Sequence, residues 1–98
     1  MHVLTKTDIF SRRNEILAAA RRHGASNIRL FGSVARGDTT ASSDVDLVVR
    51  FEPGRSLLDQ GGLLMDLQDL LGVRVDVIDE DAMGPRLRHE VMREAIPL

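Results

Sequence analysis

The stretch Asp44-Val45-Asp46-Leu47-Val48-Val49-Arg50-Phe51 constrains the fold more than any other part of the chain. Period-two alternation puts Val45, Leu47, Val49 and Phe51 on one face of a strand. Asp44, Asp46, Val48 and Arg50 fall on the other face, and Glu52-Pro53-Gly54 ends the strand. Around it the pattern predicts a first helix capped by Thr5 or Thr7, with an apolar stripe of Ile9, Phe10, Ile16, Leu17 and Ala20 broken at Arg13. Arg21, Arg22 and His23 suit its C-terminus, and Gly24 suits the position just past it. A short strand at Ile28-Arg29-Leu30-Phe31 runs straight into Gly32-Ser33 and a short helix. Leu57, Leu58, Leu63, Leu64, Leu67, Leu70 and Leu71 follow helical spacing up to Gly72, and read as core. Gly61-Gly62 predicts a kink in that helix. Arg74-Val75-Asp76-Val77-Ile78 is a third strand, Asp79-Glu80-Asp81 a solvated turn, and a last helix starts near Pro85 with Leu87, Val91 and Ala95. The expected class is α/β (α+β): one small mixed sheet with flanking helices.

Composition narrows the function classes. A chain of 98 residues is expected to be one domain, 1–98. Aromatics make up only 3%, too few for a base-stacking platform, and a net charge of -2 does not suit a nucleic-acid binder. No direct nucleic-acid binding is expected. With no cysteine, disulfides, thiolate zinc sites and cysteine nucleophiles are excluded. The longest uninterrupted apolar run, Ile16 to Ala20, is too short for a membrane span, and the N-terminus has no signal-peptide pattern. The expectation is a soluble cytoplasmic protein.

The chemistry concentrates in Gly32-Ser33, Arg36-Gly37 and Ser43-Asp44-Val45-Asp46. Asp44 and Asp46 project from one strand face, roughly 7 Å apart at the backbone. Like charges so placed repel each other. A divalent cation compensates them, and Mg²⁺ takes carboxylate oxygens together with substrate phosphates. Gly32-Ser33 stands at a strand end before a helix, where free N–H groups bind phosphate and Gly lets the backbone approach closely. An anion cradle beside a cation site reads as metal-assisted phosphoryl chemistry on a nucleotide. A second metal calls for a third carboxylate. Asp76 converges on the pair if its strand lies beside the Asp44–Phe51 strand, and it could then bridge a metal and take a proton from an attacking hydroxyl.

These residues resemble the nucleotidyltransferase superfamily of DNA polymerase β type, which carries a Gly-Ser, a carboxylate-x-carboxylate on a following strand and a third carboxylate later. The match is closer still to the minimal nucleotidyltransferases, the MNT antitoxins. It lies in Gly32-Ser33-Val34-Ala35-Arg36-Gly37, Ser43-Asp44-Val45-Asp46-Leu47 and Val75-Asp76-Val77, with a similar tail from Pro85-Arg86-Leu87 to Ala95-Ile96-Pro97-Leu98. The resemblance implies that fold, with Asp44, Asp46 and Asp76 as catalytic and metal-holding residues. It implies Mg²⁺, as two ions, ATP as substrate, and Gly32-Ser33 on the triphosphate. It implies a HEPN-type RNase toxin as partner, with AMP passed to a tyrosine hydroxyl of the toxin. The competing reading is an antitoxin that blocks its toxin by contact alone. A homodimer and a hetero-oligomer with the toxin both stay open.

Other positions carry two readings. Arg36 contacts phosphate or is surface; Ser43 touches the nucleotide or caps the turn beside Asp44. Arg50 pairs with Asp44 or Asp46, or with substrate. His2, His23 and His89 lack metal-ligand spacing and read as surface or helix-end residues, and Asp38 as loop solvation.

Overall fold

A computed structural model describes residues 4–38 and 44–98. Helices α1 (Lys6–Ser11) and α2 (Arg13–Arg22) lead into strand β1 (Ala25–Phe31), the one-turn-and-a-half helix α3 (Gly32–Arg36) and strand β2 (Val45–Phe51). Helix α4 (Leu57–Leu71), strand β3 (Val75–Asp79), a 3₁₀ turn (Glu80–Ala82), helix α5 (Pro85–Glu94) and strand β4 (Ile96–Pro97) complete the order. The sheet runs β3-β2-β1-β4, with β2 parallel to β3 and β1 antiparallel to both of its neighbours. The mixed sheet with flanking helices agrees with the class expected from the sequence.

The apolar face of β2 meets the helices as the alternation predicts. Val45, Leu47 and Val49 join Leu30, Val75, Ile9, Ile16, Ala20, Leu63 and Leu67 in one buried cluster. On the opposite face Val48 is also fully buried, and the 3₁₀ turn packs against β2. Thr5 and Ser56 each close a capping box, with Asp8 and Asp59 respectively, satisfying the first free N–H groups of α1 and α4. The outer edge of β3 is closed from α4: Gln68 Oε1 accepts from the Val75 N–H at 3.3 Å and Gln60 Nε2 donates to the Val77 carbonyl at 2.9 Å. An exposed strand edge is a template for unwanted pairing, and two glutamine side chains occupy part of this one.

Five local expectations are corrected. The first helix is two helices, because Arg12 leaves helical geometry and its guanidinium reaches the Leu70 carbonyl at 2.7 Å, at the end of α4. Strand β1 begins at Ala25 rather than Ile28, with an irregularity between Ser26 and Arg29 where Asn27 takes φ 52. Helix α4 runs through Gly61-Gly62 unbroken; Gly62 is there because a Cβ would press on the His23 ring. Its leucines are not all core: Leu57 and Leu58 are 83% and 87% exposed. The Asp79-Glu80-Asp81 turn is not solvated throughout, since the Glu80 side chain is only 4% exposed and pairs with Arg88 of α5 at 2.5 Å. Strand β4 has no counterpart in the sequence reading. Among the described residues no helix is long and apolar enough to cross a membrane.

Candidate active site

The site forms where the C-terminal end of β1 meets the N-terminal ends of β2 and β3. Register brings its parts together: Phe31 pairs with Asp46 across β1–β2, and Asp46 pairs with Asp76 across β2–β3. Directly paired residues of adjacent strands project from the same face. Asp46 and Asp76 therefore stand side by side, and Gly32 follows Phe31 at the turn beside them. Gly32 takes φ +80, and a Cβ there would run into Asp46 Oδ2. Both the left-handed backbone and the close approach demand glycine. Spacing in the sequence thus records a contact: the residue after the strand yields room for the first carboxylate of the next strand.

Electrostatics reports the crowding. Asp46 is pushed up from 3.8 to about 6, first by burial, then by the neighbouring Asp76 charge and a hydrogen bond with it, then by Asp44, against a smaller opposing effect of Arg36. The raised value reflects burial first and then like charge without enough local compensation. The donors are all carboxylate oxygens, a set that suits a hard cation such as Mg²⁺. Asp44 sits at the entrance with its Oδ1 3.8 Å from Arg74 Nε. Among the described residues no three His, Asp or Glu side chains form a ready-made metal cluster.

The remaining positions fall as follows. Ser33, half-buried, is the second residue of α3, whose first N–H groups have no partner within the helix. Arg36 is exposed, pairs with Asp38 at 3.2 Å and still acts on Asp46. Ser43 lies outside the described residues. Arg50 reaches Asp81 at 3.7 Å and pairs with neither Asp44 nor Asp46 among the described contacts. His23 is partly buried and bonds Asp66 at 2.6 Å, well apart from this site in the fold. Arg74 is the site residue that sequence reasoning passed over. Its signal was available: it precedes Asp76 by two, so an extended chain puts both on one face.

Residues 13–98 match the family model described as a nucleotidyltransferase domain. The chain is 39% identical over 75 residues to the protein adenylyltransferase MntA of Thermococcus cleftensis, covering 76% of each chain. It is 34% identical over 84 residues to a Methanocaldococcus jannaschii protein provisionally assigned as a protein adenylyltransferase, covering 86% of this chain and 90% of that relative. A solved structure provisionally assigned as a minimal nucleotidyltransferase superposes with TM-score 0.88 at 50% identity over 97% of both chains. The fold also recurs, with TM-score 0.74 and 24% identity over 86% of this chain and 69% of the other, in a toxin-antitoxin structure with AMP-PNP.

Proposed function

Because this nucleotidyltransferase belongs to the nucleotidyltransferase domain family, we propose that it moves an AMP unit from ATP, with Mg²⁺, to a tyrosine hydroxyl of a partner toxin of the HEPN RNase class, silencing it. The observation that carries the reading is the Gly32–Asp46–Asp76 contact set at the ends of β1, β2 and β3. Relatives named protein adenylyltransferase support AMP as the group moved, and the toxin-antitoxin structure supports a toxin as its receiver.

Asp44, Asp46 and Asp76 would hold Mg²⁺, which when bound offsets charge on the phosphates. Gly32 and Ser33 receive the phosphate chain on the backbone N–H groups at the start of α3. Asp76 accepts the proton of the attacking hydroxyl, which bonds the α-phosphorus as pyrophosphate leaves in line. The chain has no tyrosine of its own, so a tyrosine acceptor must come from another molecule. Orientation of an acceptor removes roughly 7–11 kcal/mol from such a barrier, and a docked partner supplies most of that reduction. ATP turnover by the chain alone should therefore be very slow.

Incubation with labelled ATP, Mg²⁺ and the protein encoded by the adjacent gene tests this. Label on a partner tyrosine is expected, and none with the Asp44→Asn/Asp46→Asn double variant. A double variant that still neutralises the toxin fully in cells would favour the contact-only antitoxin. Rapid transfer to free RNA or a small molecule without partner would replace the reading altogether.

A further inference from the structure

We propose that Arg74 is a swinging countercharge: it pairs with Asp44 while the carboxylates are uncompensated, and turns to the phosphates of the nucleotide once a divalent cation engages Asp44. This rests on the functional reading above. Backbone and side chain of Arg74 are held very differently. Its carbonyl accepts the Val45 N–H at 3.0 Å, and the next N–H, that of Val75, is tied to Gln68 at 3.3 Å. The Cα is therefore fixed at the site entrance. The side chain is 84% exposed, and its described partner is Asp44, only 33% exposed, at 3.8 Å. That distance is too long for a hydrogen bond and leaves a Coulombic attraction alone.

Of the arginines around the entrance, Arg36 is engaged by Asp38 at 3.2 Å and Arg50 by Asp81 at 3.7 Å. Among the described ion pairs, that of Arg74 is the one made with a candidate cation ligand. Cation and guanidinium compete for the same carboxylate, so occupancy by one weakens the hold of the other. The released guanidinium keeps five donors in a planar fork that fits phosphate oxygens. It would then stand on the same face as Asp76, where the phosphates must lie for the proposed transfer.

The two halves of this exchange predict effects of opposite sign. Calorimetric titration of the whole chain at pH 7 compares wild type, Arg74→Ala and Arg74→Lys, first with MgCl₂ alone and then with a non-hydrolysable ATP analogue in excess Mg²⁺. Losing an exposed competitor should tighten Mg²⁺ binding by Arg74→Ala about two- to fivefold. Losing charge-assisted phosphate contacts should weaken its analogue binding by about tenfold or more. Arg74→Lys keeps the charge without the fork and should fall between on the analogue. Changes in the same direction, or no change in either titration beside a wild type that binds, overturn the exchange and leave the functional reading standing. A wild type that takes up no Mg²⁺-analogue overturns that reading and the exchange together.

Discussion

Asp46 combines three constraints that a solvated strand residue would not carry: burial, a registered carboxylate neighbour and a glycine pressed against it. Its folded pKa is raised, from 3.8 to about 6. The folded chain therefore binds more protons than the unfolded chain between those values. Stability from this group is fully present at low pH and is lost as pH rises from about 4 through 6. Asp46→Asn should accordingly be more stable than wild type at pH 7, by about 1 kcal/mol after solvent screening, with the advantage vanishing near pH 4. Urea unfolding at both pH values measures it, and an equal loss of stability at the two would contradict the burial and repulsion assigned to Asp46. Gly32→Ala should fail differently. A side chain at positive φ costs about 1–2 kcal/mol, and the Asp46 contact adds to it, so this variant should lose stability in urea unfolding and nucleotide binding in calorimetric titration. The shared face of Asp44 and Asp46 is legible in the sequence because strand alternation is a local rule. The crowding of Asp46 by Gly32 is not, since it depends on a turn meeting a different strand.

Strand β2, the Pro85 start of α5 and the Gly72 stop of α4 are legible because each rests on residues within one or two turns of chain. The break at Arg12 is invisible locally: it follows from a bond to Leu70, 58 positions on. Strand β4 escapes because Ile96-Pro97 is too short for any periodicity, yet it pairs with Arg29 and Leu30. Glu80 misleads because an acidic run normally stays in water. Here the 3₁₀ turn packs against β2, and Arg88 of α5, 47% exposed, accompanies its buried carboxylate. The second oxygen of that carboxylate has no described partner. Arg88→Ala would leave a buried charge alone and should cost about 2–3 kcal/mol, less than a wholly buried pair because water can reach the arginine side. Arg86→Ala, which disturbs only an exposed 4.0 Å pair with Glu90, should cost under about 0.5 kcal/mol. Glu80→Gln in the Arg88→Ala background should recover part of the loss. Thermal unfolding of the four proteins compares them, and equal effects of the two arginines would show that the turn is not pinned as described.

The molecule divides its sheet between two tasks. One face buries Val45, Leu47 and Val49 under α1, α2 and α4, while β2 and β3 carry Asp46 and Asp76 to the end of the sheet where β1 turns into α3. Substitution at those carboxylates can thus alter ligand binding without opening the core, which makes binding readable as stability. A ligand that favours the folded state raises its stability by about 2.7 kcal/mol at a hundredfold excess over Kd. The deciding measurement is the melting temperature at pH 7 with ATP alone, with Mg²⁺ alone, and with both, for wild type and for Asp46→Asn. Wild type should gain several degrees with Mg²⁺ and ATP together, by far the largest shift of the three, and Asp46→Asn should gain almost nothing. An unchanged wild type at saturating Mg²⁺-ATP, or a variant that gains as much, would contradict a nucleotide site built on Asp46 and its neighbours.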